Sequence, residues 1–275
     1  MIRFAEEHDR SAIVALWNRC FRDDPAFSEW FFASRYRTDQ TLLLLEEDTL
    51  CAMVQMLPYS YYNGKSLSEV TYIYGACTAP EQRCKGYMAQ LLQESFRIDV
   101  ERGRTASVLI PAEPWLFDFY RKYGYETAFA VTDQLISFDG KLRMDGKICP
   151  LTKKDSRLMQ GLYEQLLATI PHLRRSEQDW SDQLRMFHEL GGMVLGWFSD
   201  NGDLQGYAFI WKTPEELWAQ ELMSVQSEEM AQRILRYCGE LEIRITTSGE
   251  QRRLGCLRPH TKDEVWPGYF NLLFN

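Results

Sequence analysis

The stretch that decides the fold covers residues 74–88 and reads YGACTAPEQRCKGYM. Its apolar start is typical of a β-strand, Pro80 marks a turn, and a basic loop with one glycine follows. The residues after that loop place apolar side chains at helical spacing and stop before Gly103. We therefore predict a strand, a loop and a helix in the order of an α/β domain.

The predicted loop has the chemistry of a phosphate site. The first N–H groups of a helix lack partners within it, and the helix dipole places positive charge there. Gly86 would let the backbone approach phosphate oxygens, and Arg83 and Lys85 would add charge-assisted contacts. The spacing fits neither the P-loop nor the dinucleotide G-x-G-x-x-G pattern. We therefore expect a pyrophosphate group at residues 83–88.

The residues around this stretch predict one α/β domain over residues 1–140. Helices are expected after Asp9 and after the capping pair Asp24-Pro25. The predicted strands lie at 2–5, 41–45, 50–62, 68–78 and 105–111, with a hairpin turn at Asn63-Gly64, a helix at 115–123 and a strand pair at 125–138.

A second copy of this pattern begins after a polar linker at residues 140–147. Asp155 precedes a helix whose apolar residues match the offsets seen after Asp9. A further helix, a hairpin, a strand, a helix and a strand follow in the same order. We predict a duplicated fold with domains at 1–140 and 141–275, the alternative being two unrelated domains of similar element order.

Composition narrows the class of protein. The 275 residues are 45% apolar and carry a net charge of −8 with a pI near 5.2. An acidic chain argues against general nucleic-acid binding. It favours a cationic substrate, because an acidic surface attracts cations. The alternative is that the charge only keeps the protein soluble. We see neither a signal peptide nor a membrane span, so we expect a cytoplasmic protein without membrane contact.

The seven cysteines are scattered, and the four histidines lack ligand-like spacing. We therefore expect no metal site and no disulfide framework, but reduced thiols. Cys77 and Cys84 have no histidine close in sequence, so we expect neither to carry an acyl group.

Residues 79–88 resemble motif A of the GNAT acetyltransferase superfamily, written [QR]-x-x-G-x-[GA]. Arg83 matches the first position and Gly86 the fourth, whereas Met88 replaces the usual small residue at the sixth. Residues 119–125 (FYRKYGY) resemble the aromatic helix after the fifth GNAT strand. Both strings are similar to those of Eis-type enzymes, which carry a GNAT domain, a degenerate GNAT domain and a sterol-carrier-like domain.

This resemblance implies an α/β (α+β) fold with two GNAT domains in tandem. Each would be a mixed, mostly antiparallel twisted sheet flanked by helices, and the second would be degenerate. We expect no third domain. We expect the chain to be able to assemble with copies of itself, as Eis-type proteins do.

The resemblance also implies acetyl-CoA as co-substrate. The strand end would pair through its backbone with the pantetheine arm, and the loop would hold the pyrophosphate. The strand-end residues are Ala76, Cys77 and Thr78, and the loop residues are Arg83, Cys84, Lys85, Gly86, Tyr87 and Met88. The alternatives are ordinary sheet pairing and a solvated basic rim.

Three residues are candidates for proton transfer. Tyr120 would give a proton to the departing thiolate of coenzyme A, unless it is only packed between helix and sheet. Glu69 and Glu113 are candidate bases acting through water, with a plain surface charge as the alternative. The enzyme could also lack a dedicated base, because orientation alone accelerates acetyl transfer to an amine.

The acceptor would lie over residues 25–36, in front of the separating strands. An acidic and aromatic mouth for a cationic amine would be formed there by Asp23, Asp24, Glu29, Trp30, Phe31 and Phe32. The alternative is an amphipathic helix that buries its aromatic residues.

The predicted function is direct transfer of an acetyl group to a primary amine on a small molecule or a peptide. The alternatives are a Fem-like aminoacyl transferase and a non-catalytic module that binds acyl-CoA. The second half lacks glycine between Gly206 and Gly239, and the corresponding helix begins with Glu228 and Glu229. We therefore expect no acetyl-CoA there and a structural role.

Overall fold

The computed structural model of the protein describes residues 1–21, 24–140, 145–260, 268–271 and 274. The chain forms two compact units, and neither is continuous in sequence. The first unit contains residues 1–128 and a segment that starts at Gly255. The second unit contains residues 129–254 and a segment that starts at Gly268.

The strands and helices follow the predicted order closely. The strands are β1 (Ile2–Phe4), β2 (Thr41–Glu46), β3 (Thr49–Tyr62), β4 (Leu67–Thr78), β5 (Ala106–Leu109), β6 (Glu126–Ser137), β7 (Lys147–Pro150), β8 (His172–Arg174), β9 (Met193–Phe198), β10 (Leu204–Lys212), β11 (Leu217–Ser224), β12 (Glu242–Ser248) and β13 (Arg252–Pro259). The helices are α1 (Arg10–Cys20), α2 (Pro25–Ser34), α3 (Tyr87–Glu101), α4 (Pro114–Arg121), α5 (Ser156–Leu166), α6 (Glu177–Glu189) and α7 (Ser227–Cys238).

The sheet of the first unit has the order β1-β2-β3-β4-β5, followed by residues 255–259 of β13. Every neighbouring pair is antiparallel except β4 and β5, which run parallel. Helix α3 packs Leu91, Leu92 and Phe96 into the apolar core on one face of this sheet. On α1 and α2, Trp17 and Phe31 are buried and stack on each other.

The second unit repeats this arrangement with different strands. Its order is β7-β9-β10-β11-β12, followed by β6 from Phe129 onward. Again one pair, β11 with β12, is parallel and the others are antiparallel. The predicted tandem of mixed, mostly antiparallel sheets flanked by helices is therefore confirmed.

The last strand of each sheet comes from the other half of the chain. The predicted strand pair at residues 125–138 is wrong, because β6 is one uninterrupted strand. Residues 126–137 contain neither glycine nor proline, so nothing in them favours a turn. The strand next to β5 is instead β13, which pairs with it from Cys256 opposite Leu109 to Pro259 opposite Ala106. Each unit thus takes its last strand from across residue 140, an exchange of strands that the predicted domain boundary does not include.

Polar contacts hold the exchanged strand β13 in the first unit. Arg258 donates from Nε to the Tyr123 carbonyl at 2.9 Å and from Nη1 to His260 Nδ1 at 2.6 Å. Because an arginine only donates, His260 accepts at Nδ1 and donates from Nε2 to Asp99 Oδ2 at 3.0 Å. The side chains of Asp99 and His260 are fully buried. Arg104 also contacts Asp99, at 3.4 Å.

The two units open with the same capping geometry. The Asp9 carboxylate accepts from the Glu6 N–H at 2.8 Å, and the Asp155 carboxylate accepts from the Thr152 N–H at 2.8 Å. Each aspartate thereby stabilises the short turn before its helix, rather than capping the helix itself. In the first unit, Arg3 adds two hydrogen bonds to Asp9, at 2.6 and 2.9 Å.

Candidate active site

The two parallel strands of the first unit separate partway along their length. β4 and β5 pair at Val70–Ala106, at Thr71–Ser107 and finally at Tyr72–Val108. Beyond Tyr72, β4 continues to pair with β3 as far as Thr78. Residues 73–78 therefore turn a strand edge toward the space between β4 and β5, where an extended ligand chain can add like a further strand.

A β-bulge lies at this separation. The register between β3 and β4 shifts by one residue between Cys77 and Tyr74. Gly75 has a φ of +55°, and a Cβ there would lie 2.4 Å from Trp17 Cζ3. A side chain is therefore excluded at Gly75 by both the backbone conformation and the aromatic ring. Sequence reasoning did not single out Gly75, although it stands inside the stretch that decided the fold.

The predicted phosphate loop connects β4 to α3. A short 3₁₀ turn at Pro80–Gln82 is followed by Cys84 with a φ of +63° and Gly86 with a φ of +80°. Gly86 occupies the N-cap of α3, and a Cβ there would meet no atom within 4 Å. The first turn of a 15-residue helix thus begins at an exposed glycine in a left-handed conformation. This arrangement suits an anion.

The side chains of the loop divide into two groups. Arg83 and Lys85 are exposed, and they donate to the Thr78 carbonyl at 3.3 Å and to Gln82 Oε1 at 2.7 Å. Tyr87 and Met88 are half-buried and pack on the α3 core, as does Ala76 on β4. A bound anion would therefore be met by the two basic side chains and by the backbone of the other residues.

Tyr120 lies at the same separation of the strands. Its side chain is 7% exposed, and burial raises the pKa of its hydroxyl well above the usual range. The side chain packs in the same buried cluster as Ile73 on β4, Leu109 on β5 and Cys256 on β13, and Ala76 packs against this cluster. Ile73 directly follows the last β4–β5 pair, and Leu109 is the last residue of β5. The structure therefore brings Tyr120 together with the predicted strand-end residues.

The two candidate bases occupy different ends of the strands. Glu69 lies three residues before the last β4–β5 pair, and its carboxylate accepts from Ser60 at 2.9 Å. It stands eight residues before Cys77 on β4, which is about 26 Å of extended chain. Glu113 is exposed at the N-cap of α4, beyond the carboxyl end of β5. Only Glu113 therefore lies at the end where the strands separate.

The expected aromatic mouth is not formed: Trp30, Phe31 and Phe32 are all buried. Asp23, expected at the same mouth, lies outside the described residues. Phe31 is fully buried, with its ring centroid 5.0 Å from that of Trp17, and Trp30 is 5% exposed. Asp24 accepts from the Ala26 N–H at 2.9 Å and caps α2. Helix α2 therefore buries its aromatic residues against the sheet, as the alternative of an amphipathic helix predicts.

A groove of about 560 Å³ lies between α1 and α2 instead. Its polar lining includes Arg10, Asn18 and Glu29. Among the acidic residues predicted at the acceptor site, Glu29 therefore lines an open groove beside α2.

Two further observations concern the described part of the chain. No group of three or more histidine, cysteine, aspartate or glutamate residues there could hold a metal ion. None of its helices is long and apolar enough to cross a membrane.

Comparison with known proteins identifies the fold. Residues 1–128 match the family model of the acetyltransferase (GNAT) domain. A probable N-acyltransferase from Enterococcus faecalis has a TM-score of 0.79 at 15% identity, over 94% of this chain and 72% of that one. A GCN5-related N-acetyltransferase from Anabaena variabilis has a TM-score of 0.77 at 19% identity, over 95% and 73%.

Eis1 from Mycobacterium abscessus has a TM-score of 0.67 at 15% identity, over 94% of this chain and 74% of that one. A search of curated proteins finds no match. At these identities the solved structures establish the fold, and the family model establishes the first domain. Residues 1–128 are therefore an acetyltransferase (GNAT) domain, and this domain makes the protein an acyltransferase.

Proposed function

We propose that the first unit transfers an acetyl group from acetyl-CoA directly to a primary amine. One observation carries the proposal: the separation of β4 from β5 and the glycine-capped start of α3 occur at the same end of β4. An elongated ligand with an anionic centre and a thin reactive arm fits both features at once.

The residues present fit acetyl-CoA as co-substrate. Residues 76–78 offer a strand edge to the amide groups of the pantetheine arm. Gly86 leaves open space beside the first N–H groups of α3, where Arg83 and Lys85 add positive charge. Acetyl-CoA would supply an activated acetyl thioester between the separated strands.

Tyr120 would then act as the general acid. A tyrosine hydroxyl carries its proton at neutral pH, and burial, which raises its pKa further, keeps it so; the group can therefore hydrogen-bond to a departing thiolate and protonate it. The attacking amine loses its own proton to water, with exposed Glu113 as the carboxylate placed to assist. The net charge of −8 would concentrate cationic amines around the protein.

Titration calorimetry of acetyl-CoA into the whole protein tests the cofactor site. We expect one site per chain, and we expect Gly86→Glu to weaken binding by at least about 100-fold, because it places a carboxylate where phosphate would lie. Gly202→Glu is the matched control. Gly202 has a φ of +89° and equally open surroundings, but it lies between β9 and β10.

The control variant should bind like the wild type. If both variants weaken binding equally, backbone strain rather than charge at the loop is responsible, and the assignment of the loop fails. A wild-type protein that does not bind acetyl-CoA would overturn the proposal as a whole.

A second experiment separates the enzyme from a module that only binds acyl-CoA. Tyr120→Phe should lower turnover several-fold, up to about 100-fold, while the acetyl-CoA affinity stays the same. Thiol release measured over a panel of polyamines, amino-sugars, aminoglycosides and peptide amines provides the turnover. Tyr123→Phe, on a half-buried residue just after the same helix, should leave turnover unchanged. Turnover that is insensitive to Tyr120→Phe contradicts its role as acid.

A further inference from the structure

Two cysteine thiols meet at the strand end that would hold the pantetheine arm. Cys20 is the last residue of α1, and Cys77 lies one residue before the end of β4. The two side chains interact, and each shifts the pKa of the other. As a thiol, Cys20 also donates to the Thr78 carbonyl at 3.5 Å.

The two thiols differ in exposure and in charge environment. Cys20 is half-buried, whereas Cys77 is 7% exposed. The interaction with Cys77, followed by the positive charge of Arg83, lowers the pKa of Cys20 to about 7. Burial raises the pKa of Cys77 well above its usual value. Near neutral pH a substantial fraction of Cys20 is therefore thiolate and reached by solvent, whereas Cys77 stays a buried thiol.

The charged groups around Cys20 act in opposite directions. The carbonyl end of a helix carries partial negative charge and disfavours a thiolate at its last residue. Arg83, whose Nε donates at 3.3 Å to the same Thr78 carbonyl that Cys20 contacts, favours the thiolate. Arg19 contributes less and is ion-paired to Glu81 at 2.5 Å. The same Arg83 belongs to the candidate pyrophosphate loop. The thiol pair and the loop therefore share one cation.

We propose that Cys20 and Cys77 form an oxidisable thiol pair that responds to peroxide. The Cys20 thiolate attacks hydrogen peroxide, which yields a Cys20 sulfenic acid and hydroxide. The Cys77 thiol then attacks the sulfenic sulfur, which forms the disulfide and releases water. The two thiols are oxidised by two electrons in total, and the peroxide is reduced.

The effect of this disulfide on the cofactor rests on the proposed function. The bond removes the thiolate that Arg83 favours and joins the end of α1 to the end of β4. The two sulfurs would be drawn to the roughly 2.05 Å of an S–S bond. We expect the strand end at residues 76–78 to shift with them and acetyl-CoA binding to weaken at least about tenfold.

Peptide mapping by mass spectrometry, before and after peroxide, tests the pair in the whole protein. Cys238 is the internal reference, because it is also half-buried and also ends a helix, but burial raises its pKa. At pH 7 we expect Cys20 to react at least about tenfold faster than Cys238. We also expect a Cys20–Cys77 disulfide that dithiothreitol reverses.

Variants and calorimetry complete the test. Cys20→Ser should retain acetyl-CoA binding after peroxide treatment, whereas Cys238→Ser should lose binding like the wild type. Cys20 that ends as sulfinic acid without a disulfide would overturn the pair, and so would equal rates at Cys20 and Cys238. A disulfide that leaves acetyl-CoA affinity unchanged would overturn its effect on the site. If the reduced protein does not bind acetyl-CoA, the proposed function fails, while mapping still decides the thiol pair.

Discussion

The two units share one strand order but differ where their parallel strands separate. In the first unit, Tyr74 follows the last β4–β5 pair by two residues and packs against Trp17 and Phe31. In the second unit, β11 and β12 last pair at Ala219–Ile245, and Glu221 follows Ala219 by two residues. One unit has aromatic side chains at this point, and the other has a buried charge.

The second unit occupies this position with its own side chains. Glu221 is fully buried and receives two hydrogen bonds from Arg175, at 2.6 and 2.7 Å. Hydroxyls of Tyr207 and Tyr269 complete its partners at 3.0 and 2.8 Å. The guanidinium also lies 4.8 Å from the Tyr163 ring. Such a saturated ion pair can persist without water, so the same topology here encloses protein groups.

The other parts of the candidate site also lack counterparts in the second unit. Helix α7 follows Gln226, with Glu228 and Glu229 in its first turn, where α3 has Gly86. Three residues, all described, separate β12 from β13, where the first unit has α4 with Tyr120. A GNAT-like sheet therefore does not by itself provide the features of the candidate site. Under the proposed function, the loop, the strand separation and Tyr120 are needed together.

The largest expected effect comes from breaking the buried pair. Arg175→Met should lower the free energy of unfolding by about 3–5 kcal/mol, because it leaves the Glu221 carboxylate buried without its cation. Guanidinium denaturation followed by tryptophan fluorescence measures this. Arg157→Met removes an exposed ion pair to Glu177 at 3.2 Å and should change stability by less than about 0.5 kcal/mol. Equal effects would mean that the pair does not fill the second unit as described.

A smaller effect is expected at the exchanged strand. His260→Ala removes a partner of the buried Asp99 and should cost about 2–3 kcal/mol, measured by the same denaturation. His8→Ala, on an exposed side chain, serves as the control. If His260→Ala leaves the free energy of unfolding unchanged, the contact of His260 with Asp99 does not anchor β13 in the first unit.

The smallest effect compares the two duplicated openings. The hydrogen bond to Arg3 lowers the pKa of Asp9 to about 2, so Asp9 favours the folded state above its unfolded pKa. That contribution is lost as pH falls through about 2. Asp9→Asn should therefore cost about 1–2 kcal/mol at pH 7 and progressively less below pH 4.

Asp155→Asn is the matched variant, because Asp155 keeps the capping hydrogen bond without the arginine. Urea unfolding across this pH range should show a smaller cost for it, below about 1 kcal/mol. If both variants lower the free energy of unfolding equally, Arg3 does not make the first capping turn more stable than the second.

Much of this arrangement could be predicted from short stretches of sequence. The loop at residues 80–86 depends on local turn chemistry, and α2 begins as the Asp24-Pro25 pair predicts. The repeat was visible because Asp9 and Asp155 precede helices of matching pattern. Local patterns of this kind survive in the folded protein because neighbouring residues enforce them.

Other features depend on partners far away in the chain. The apolar alternation of β6 predicts a strand but not the sheet that receives it, and the same holds for β13. Aromatic residues on α2 suit either a ligand or a sheet, and only burial decides for Trp30 and Phe31. The contact of Cys20 with Cys77 joins a helix end to a strand end, which no local spacing encodes.

The exchange of last strands has a consequence for synthesis. When residues 1–128 have left the ribosome, the sheet of the first unit still lacks the strand that pairs with β5. Asp99 then has no His260 beside it, and the edge of β5 is open to other chains. The acetyltransferase domain therefore cannot mature at the moment its own sequence is complete. It depends on translation of most of the second unit, and a ribosome that stalls between the two would release an aggregation-prone half.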